Sequence, residues 1–206
     1  MIEVGELQRD ALGEIFNIGV GRAAASLSQI VRDEIELSAP NIQFIVPSEV
    51  ERLLMGGEFD HLSMVSQEFS GPFDARAMLV FPEQNALRIV GQMLGGVVPP
   101  EQLGEFEQEA MCEVGNIILN ACISALADLF RVEFQGSLPS YEHAERESLD
   151  LFGTLNEDAS VILVVQIDLV IRQMSIHGHL LFLLSVSSLD QLLSSINRYL
   201  ETLGLE

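Results

Sequence analysis

The chain has 206 residues, a formal net charge of −21 and ten cationic residues, every one of them arginine. With no lysine, chemistry built on a phosphate-loop lysine, a pyridoxal Schiff base or a lysine general base is excluded, and so acidic a chain is repelled by nucleic-acid backbones and by anionic membranes. Hydrophobic residues make up 48% and charged residues 20%, without low-complexity runs, which predicts one packed domain over residues 1–206.

From Gly5 to about Val31 apolar residues recur at helical spacing. A β-like segment, Ile35 to Leu37, follows, then Pro40, and Pro47-Ser48-Glu49 reads as the start of a short connecting helix. Two strands are predicted at His61 to Ser70 and Ala75 to Phe81, joined by a turn at Gly71-Pro72, and a helix from Pro82 to Leu94 closes this half. After the break at Gly95 to Pro100 the order begins again, with a helix from about Glu101 to Phe130, a β-like segment at Val132 to Phe134, and Pro139. Strands at Ser160 to Asp168 and Gln173 to Ser185 then flank a charged turn near Arg172, and a helix from Ser188 to Leu200 opens on a Ser-x-Asp start that suits a cap. The expected fold is α+β, with two α-β-(short α)-β-β-α halves, about 5–95 and 101–200, related by a pseudo-twofold and sharing an antiparallel sheet with two long helices.

The two long helices correspond residue by residue. Asp10-Ala-Leu-Gly-Glu14-Ile-Phe-Asn17-Ile-Gly aligns with Glu109-Ala-Met-Cys-Glu113-Val-Gly-Asn116-Ile-Ile, at a constant spacing of 113 − 14 = 99 that also relates Pro40 to Pro139. On a helix, residues three apart project within about 60° of each other and about 4.5 Å of rise, so each Glu and Asn pair can touch one ligand. Asparagine is a poor helix-interior residue and has no packing reason to recur at this place. One exposed Glu-x-x-Asn is commonplace; its repetition in register while the flanking residues diverge is not.

This pattern resembles the CheC, CheX and FliY group of chemotaxis phosphatases, whose signature runs Asp or Ser, three residues, Glu, two residues, Asn, then twenty-two residues and Pro. Asp10, Glu14, Asn17 and Pro40 match throughout, and Glu113, Asn116 and Pro139 match with the same spacing, Glu109 standing where the family has Asp or Ser. Two full motifs are similar to the CheC branch. The resemblance implies hydrolysis of the phospho-aspartate of a CheY-like response regulator, with Asn17 and Asn116 orienting the attacking water and Glu14 and Glu113 anchoring the partner. It further implies that Asp10 and Glu109 extend the contact, that Pro40 and Pro139 are structural, and that the chain carries no cofactor or metal of its own, Mg2+ residing on the regulator. A second reading is a binding module that docks a response regulator, a flagellar switch component or a CheD-type deamidase without hydrolysis; a third is a structural protein with a decayed duplication.

The remaining residues carry less. Gly19, Gly21 and Ala23 to Ala25, like Ala121, Ala125 and Ala127, suit close helix packing. His177 and His179 alternate along a strand without a third metal ligand nearby, and His61 and His143 are isolated. Cys112 and Cys122 lie ten residues apart on one helix, about 15 Å, too far to pair. Free thiols, no basic and apolar leader and no long uninterrupted apolar run predict a reduced, soluble cytoplasmic protein.

Overall fold

The computed structural model describes residues 4–31, 34–38, 40–46, 49, 61–145, 161–171 and 174–205. These form a mixed helix and antiparallel-sheet fold. In chain order the elements are α1 (Glu6–Val31), β1 (Ile35–Leu37), β2 (Asn41–Ile45), β3 (His61–Ser70), β4 (Ala75–Pro82), α2 (Glu83–Met93), a 3-10 turn (Pro100–Gln102), α3 (Gly104–Phe130), β5 (Gln135–Gly136), β6 (Ser140–Glu145), β7 (Val161–Ile171), β8 (Met174–Leu184) and α4 (Val186–Thr202).

The eight described strands make one sheet, β1-β7-β8-β4-β3-β5, with β2 also on β7 and β6 also on β3. Consecutive strands β3 and β4, and β7 and β8, pair as antiparallel hairpins. The outer strands cross over between the halves of the chain: Val165 on β7 faces Ile42 on β2, and Val65 on β3 faces Tyr141 on β6. At the centre β4 pairs with β8, Leu79 opposite Leu180. The two halves of the chain are thus joined by backbone hydrogen bonds across one sheet.

Strand alternation sorts the core into two clusters. Val65, Phe69, Ala77, Leu79, Phe81, Leu163, Val165 and Leu180 face the helices, while Leu62, Met64, Met78, Val80, Ile162, Val164, Leu181 and Leu183 form a separate buried cluster on the other face. Sheet faces buried on both sides explain the unbroken apolar stretches from Ile162 to Val165 on β7 and from Leu180 to Leu184 on β8. On α1 the buried set is Leu12, Ile15, Phe16, Gly19, Val20, Ala23, Leu27 and Val31, one helical stripe. The helices α1 and α3 pack against each other over this sheet, and Gly19 is where they touch: a Cβ there would stand 2.8 Å from the Cys122 Cα. Helix α3 is long and apolar enough to cross a membrane by length and composition, but 56% of its most apolar stretch is buried, as befits the core helix of a globular fold.

Several expectations shift. The β-like segment at Val132 to Phe134 is irregular, and the strand forms at Gln135–Gly136, where β3 offers partners at Phe69 and Ser70. Strands β2 and β6 stand after Pro40 and Pro139, where only the proline was singled out; their mixed polarity hid them, and pairing to β7 and β3 makes them strands. The cap of α4 is Ser185, whose Oγ accepts from the Ser188 N–H at 3.1 Å, so the helix starts at Val186, before Ser188. Gly21 is exposed with open space around its missing side chain and takes no part in helix packing. The connecting helix expected at Pro47-Ser48-Glu49 and the turn near Arg172 fall almost wholly outside the described residues.

Candidate functional site

Because the apolar stripe of α1 is committed to the core, the residues between its members must face outward. Asp10, Glu14, Asn17 and Gly21 are all exposed and succeed one another along one face of the helix. On α3 the same arithmetic leaves Glu109 and Glu113 exposed and Asn116 and Asn120 half-buried. Each Glu and Asn pair is therefore presented to solvent from a rigid core helix, with a carboxylate one turn before a carboxamide. Among the described residues, no hydrogen bond engages the Asn17 side chain.

The second site is built differently underneath. Where α1 carries Phe16, buried and packed on Phe182 at 5.2 Å between ring centres, α3 carries Gly115. A Cβ at Gly115 would lie 2.3 Å from Val65 Cγ1, so the α3 backbone rests directly on β3. That approach brings Gln67, a buried glutamine on the helix-facing side of β3, within 3.3 Å of Asn120, whose Nδ2 donates toward Gln67 Oε1. The Asn120 amide also donates to the Asn116 Oδ1 and to the Asn116 backbone carbonyl, both at 2.7 Å. Gln67 in turn donates through Nε2 to the Ser137 carbonyl at 2.6 Å.

Pro40 sits between β1 and β2, and Pro139 between β5 and β6, each where one short strand hands over to the next. Ser137, two residues before Pro139, is pinned to β3: its N–H donates to the Glu68 carbonyl at 2.8 Å, and its Oγ accepts from the Glu68 N–H at 3.0 Å. The neighbouring Leu138 is 90% exposed. Asn120, Gln67 and Ser137 were missed from sequence. Asn120 carries the same signal as Asn116, an asparagine inside a helix one turn further on; Gln67 was visible as a polar residue on the inward face of an apolar strand.

A second polar cluster lies at the start of α3. Glu107 is buried, accepts from Ser63 Oγ at 3.0 Å and from the Tyr141 hydroxyl, and stands 3.5 Å from His143 Nε2. Burial, followed by the Glu107 carboxylate, pushes the Tyr141 phenol well above its usual range. His143, isolated in the sequence, is thereby joined to this cluster by the tertiary fold. The two motif helices are also linked at the surface by Arg22 and Asp128 at 2.6 Å. Of the cysteines, Cys122 is fully buried and its thiol is pushed up to about 12 by desolvation, while burial raises the half-buried Cys112 less. An open cleft of about 910 Å³ lies by the β3–β4 turn and the start of α4, lined among others by Gly71, Asp74, Ser185 and Gln191; none of the motif Glu or Asn residues lines it.

Residues 7–43, which hold the first motif, match the model of the CheC-like family. Among curated relatives, the CheY-P phosphatase CheC of Bacillus subtilis (strain 168) is 26% identical over 155 residues, 74% of this chain and 71% of that protein. The flagellar motor switch phosphatase FliY of the same organism is 24% identical over 142 residues, 68% of this chain, which spans 36% of that longer protein. Among solved structures, Thermotoga maritima FliY superposes with a TM-score of 0.79 at 20% identity, over 96% of this chain and all (100%) of that one. A chain of the FliG–FliM complex of H. pylori matches at 0.64 with 14% identity, covering 93% and 100% of the two chains. The CheX–CheY–BeF3–Mg2+ complex of Borrelia burgdorferi matches at 0.54 with 15% identity, covering 84% and 96%. These structural likenesses establish the fold.

Proposed function

We propose that this chain, CheC-like in its motifs and its family-model match and similar to FliY in its fold, hydrolyses the phospho-aspartate of a CheY-like response regulator. The observation that carries the reading is the paired presentation of Glu14 with Asn17 and of Glu113 with Asn116 on the faces of two core helices turned away from their apolar stripes, with the exposed Asn17 making no hydrogen bond among the described residues that would account for an asparagine inside a helix.

An acyl phosphate is an activated bond, and a response regulator supplies its own Mg2+, so the phosphatase has only to place a water in line. A neutral carboxamide suits that task. It offers a donor and an acceptor without the charge that would repel the phosphoryl oxygens. Water attacks phosphorus, the bond to the aspartyl oxygen breaks, the aspartate departs as a carboxylate that needs no proton, and the water proton passes to the phosphate product. Asn17 and Asn116 orient the water. Glu14 and Glu113, one turn before them, anchor the complex by pairing with a cation on the regulator, and Asp10 and Glu109 extend that contact. Pro40 and Pro139 hold the strand junctions.

The phosphatase activities for which the CheC and FliY relatives are named support this reading, and the CheX–CheY complex supports a CheY-type partner for this fold. The likeness to a chain of the FliG–FliM complex favours one alternative, a non-catalytic module docked on a flagellar switch. The deciding experiment follows phosphate loss from phosphorylated Bacillus subtilis CheY with the wild-type chain, with N17A, with N116A and with both changes together. Acceleration by the wild type, lost in the double variant while binding persists, is expected. A wild-type chain that binds phosphorylated CheY yet leaves its decay unchanged would make this protein an adaptor.

A further inference from the structure

The two motif sites differ one helical turn beyond their asparagines. Gly21 follows Asn17 on α1, whereas Asn120 follows Asn116 on α3. Asn120 offers two N–H donors on one nitrogen, and they face three acceptors: the Asn116 backbone carbonyl, the Asn116 Oδ1 and Gln67 Oε1. Gln67, on the far side, gives its own amide to the Ser137 carbonyl.

The direction of every amide in this chain of contacts is set by backbone carbonyls at its two ends. The Ser137 carbonyl demands a donor, so Gln67 turns its nitrogen there and its oxygen toward Asn120. The Asn116 carbonyl, which already accepts the Asn120 backbone N–H in the helix, would repel an oxygen held 2.7 Å away, so Asn120 turns its nitrogen toward α3's preceding turn. The Asn116 side chain must then present its oxygen to that nitrogen, which sends its own Nδ2 away from Asn120. One lone pair of Oδ1 remains for a water, and Nδ2 remains as a donor. Gly21 can impose nothing of this kind on Asn17, because it has no side chain and open space beyond its Cα.

We propose that Asn120 is a positioning residue for the second site, locking the Asn116 carboxamide in one orientation, so that this site enters the complex pre-organised while Asn17 must be ordered by the partner. The inference rests on the phosphatase reading for its kinetic consequence but not for its structural one. Pre-organisation lowers what the transition state must supply and acts on kcat.

Two measurements test it. Side-chain amide 15N relaxation on the full chain reads orientation directly: Asn116 is expected to be more ordered than Asn17, and N120A to bring it down to the level of Asn17. Equal order at the two asparagines in the wild type, or no change in N120A, overturns the proposal whether or not the protein is a phosphatase. Turnover of phosphorylated B. subtilis CheY is then compared in an N17A background, which isolates the second site. N120A is expected to lower kcat about tenfold with KM nearly unchanged. The near-isosteric N120D, which removes the donor, is expected to fall as far. A change confined to KM would make Asn120 a partner contact, and an N120D variant as active as its parent would leave only packing; either overturns the proposal. If the wild type itself fails to accelerate CheY dephosphorylation, the phosphatase reading falls, and the relaxation comparison alone decides the role of Asn120.

Discussion

Gly115→Ala tests the contact on which the second site is built. The added Cβ would meet Val65 Cγ1 at 2.3 Å and Val65 Cβ at 2.7 Å, whereas non-bonded carbons sit comfortably at about 3.5–4.0 Å. Turning the valine does not help, since its Cβ is itself too close and it is fully buried in β3. Overpacking costs about 1–3 kcal/mol, here toward the upper end, and alanine recovers about 1 kcal/mol of helix propensity, leaving a net loss of roughly 2 kcal/mol. Gly13→Ala is the internal control: with nothing within 4 Å of its Cβ, it should stabilise by about 0.5–1 kcal/mol. Val65→Ala alone should cost about 2 kcal/mol through the cavity it leaves, and the double substitution should be less destabilising than the sum by at least about 1 kcal/mol, because each change makes room for the other. Urea unfolding midpoints, with slopes compared to exclude changes in the unfolded state, measure all four. If Gly115→Ala is as stable as Gly13→Ala, α3 does not rest on β3 at this point, and the route from Ser137 through Gln67 to Asn120 loses its foundation.

Tyr141 is protonated in the folded chain beyond the range of a free phenol, near 10, so the unfolded state loses that proton first as pH rises. Its contribution to stability is present below about pH 10 and is lost above it, and Y141F should lose stability less steeply than the wild type in alkaline urea titrations. Cys122, with its thiol pushed up to about 12 and no exposure, should resist a thiol-specific reagent at neutral pH until the chain unfolds, leaving Cys112 as the more reactive of the two; labelling followed by peptide mass analysis checks this. Leu138, 90% exposed beside Ser137, has the makings of an apolar contact for the partner. L138S should change stability by less than about 0.5 kcal/mol yet raise KM for phosphorylated CheY in an N17A background, and an unchanged KM would remove Leu138 from the interface. Arg22→Ala breaks an ion pair whose side chains are 50% and 61% exposed, and should cost less than about 1 kcal/mol in the same urea assay.

Local pattern carried most of the fold. The stripe from Leu12 to Val31 on α1, the alternation in β3 and β4 and the Gly71-Pro72 turn are consequences of neighbours in the chain, and they were legible for that reason. Likewise the repeat of Glu14 and Asn17 at Glu113 and Asn116 needs only the helical period to place each pair on one face, and the apolar stripe to turn that face outward. What the sequence could not decide is set by contacts between residues far apart along it. β2 and β6 are too polar to announce themselves and exist because β7 and β3 offer them unpaired backbone edges. His143 gains a role only when β6 lays it beside Glu107. The difference between the two sites has the same origin: Asn120 and Gly21 can be read from the chain, but that one of them fastens Asn116 to the sheet depends on Gly115 letting α3 settle onto Val65 and bring Gln67 within reach. Periodicity fixes which way a side chain faces; only packing across the sheet fixes what it finds there.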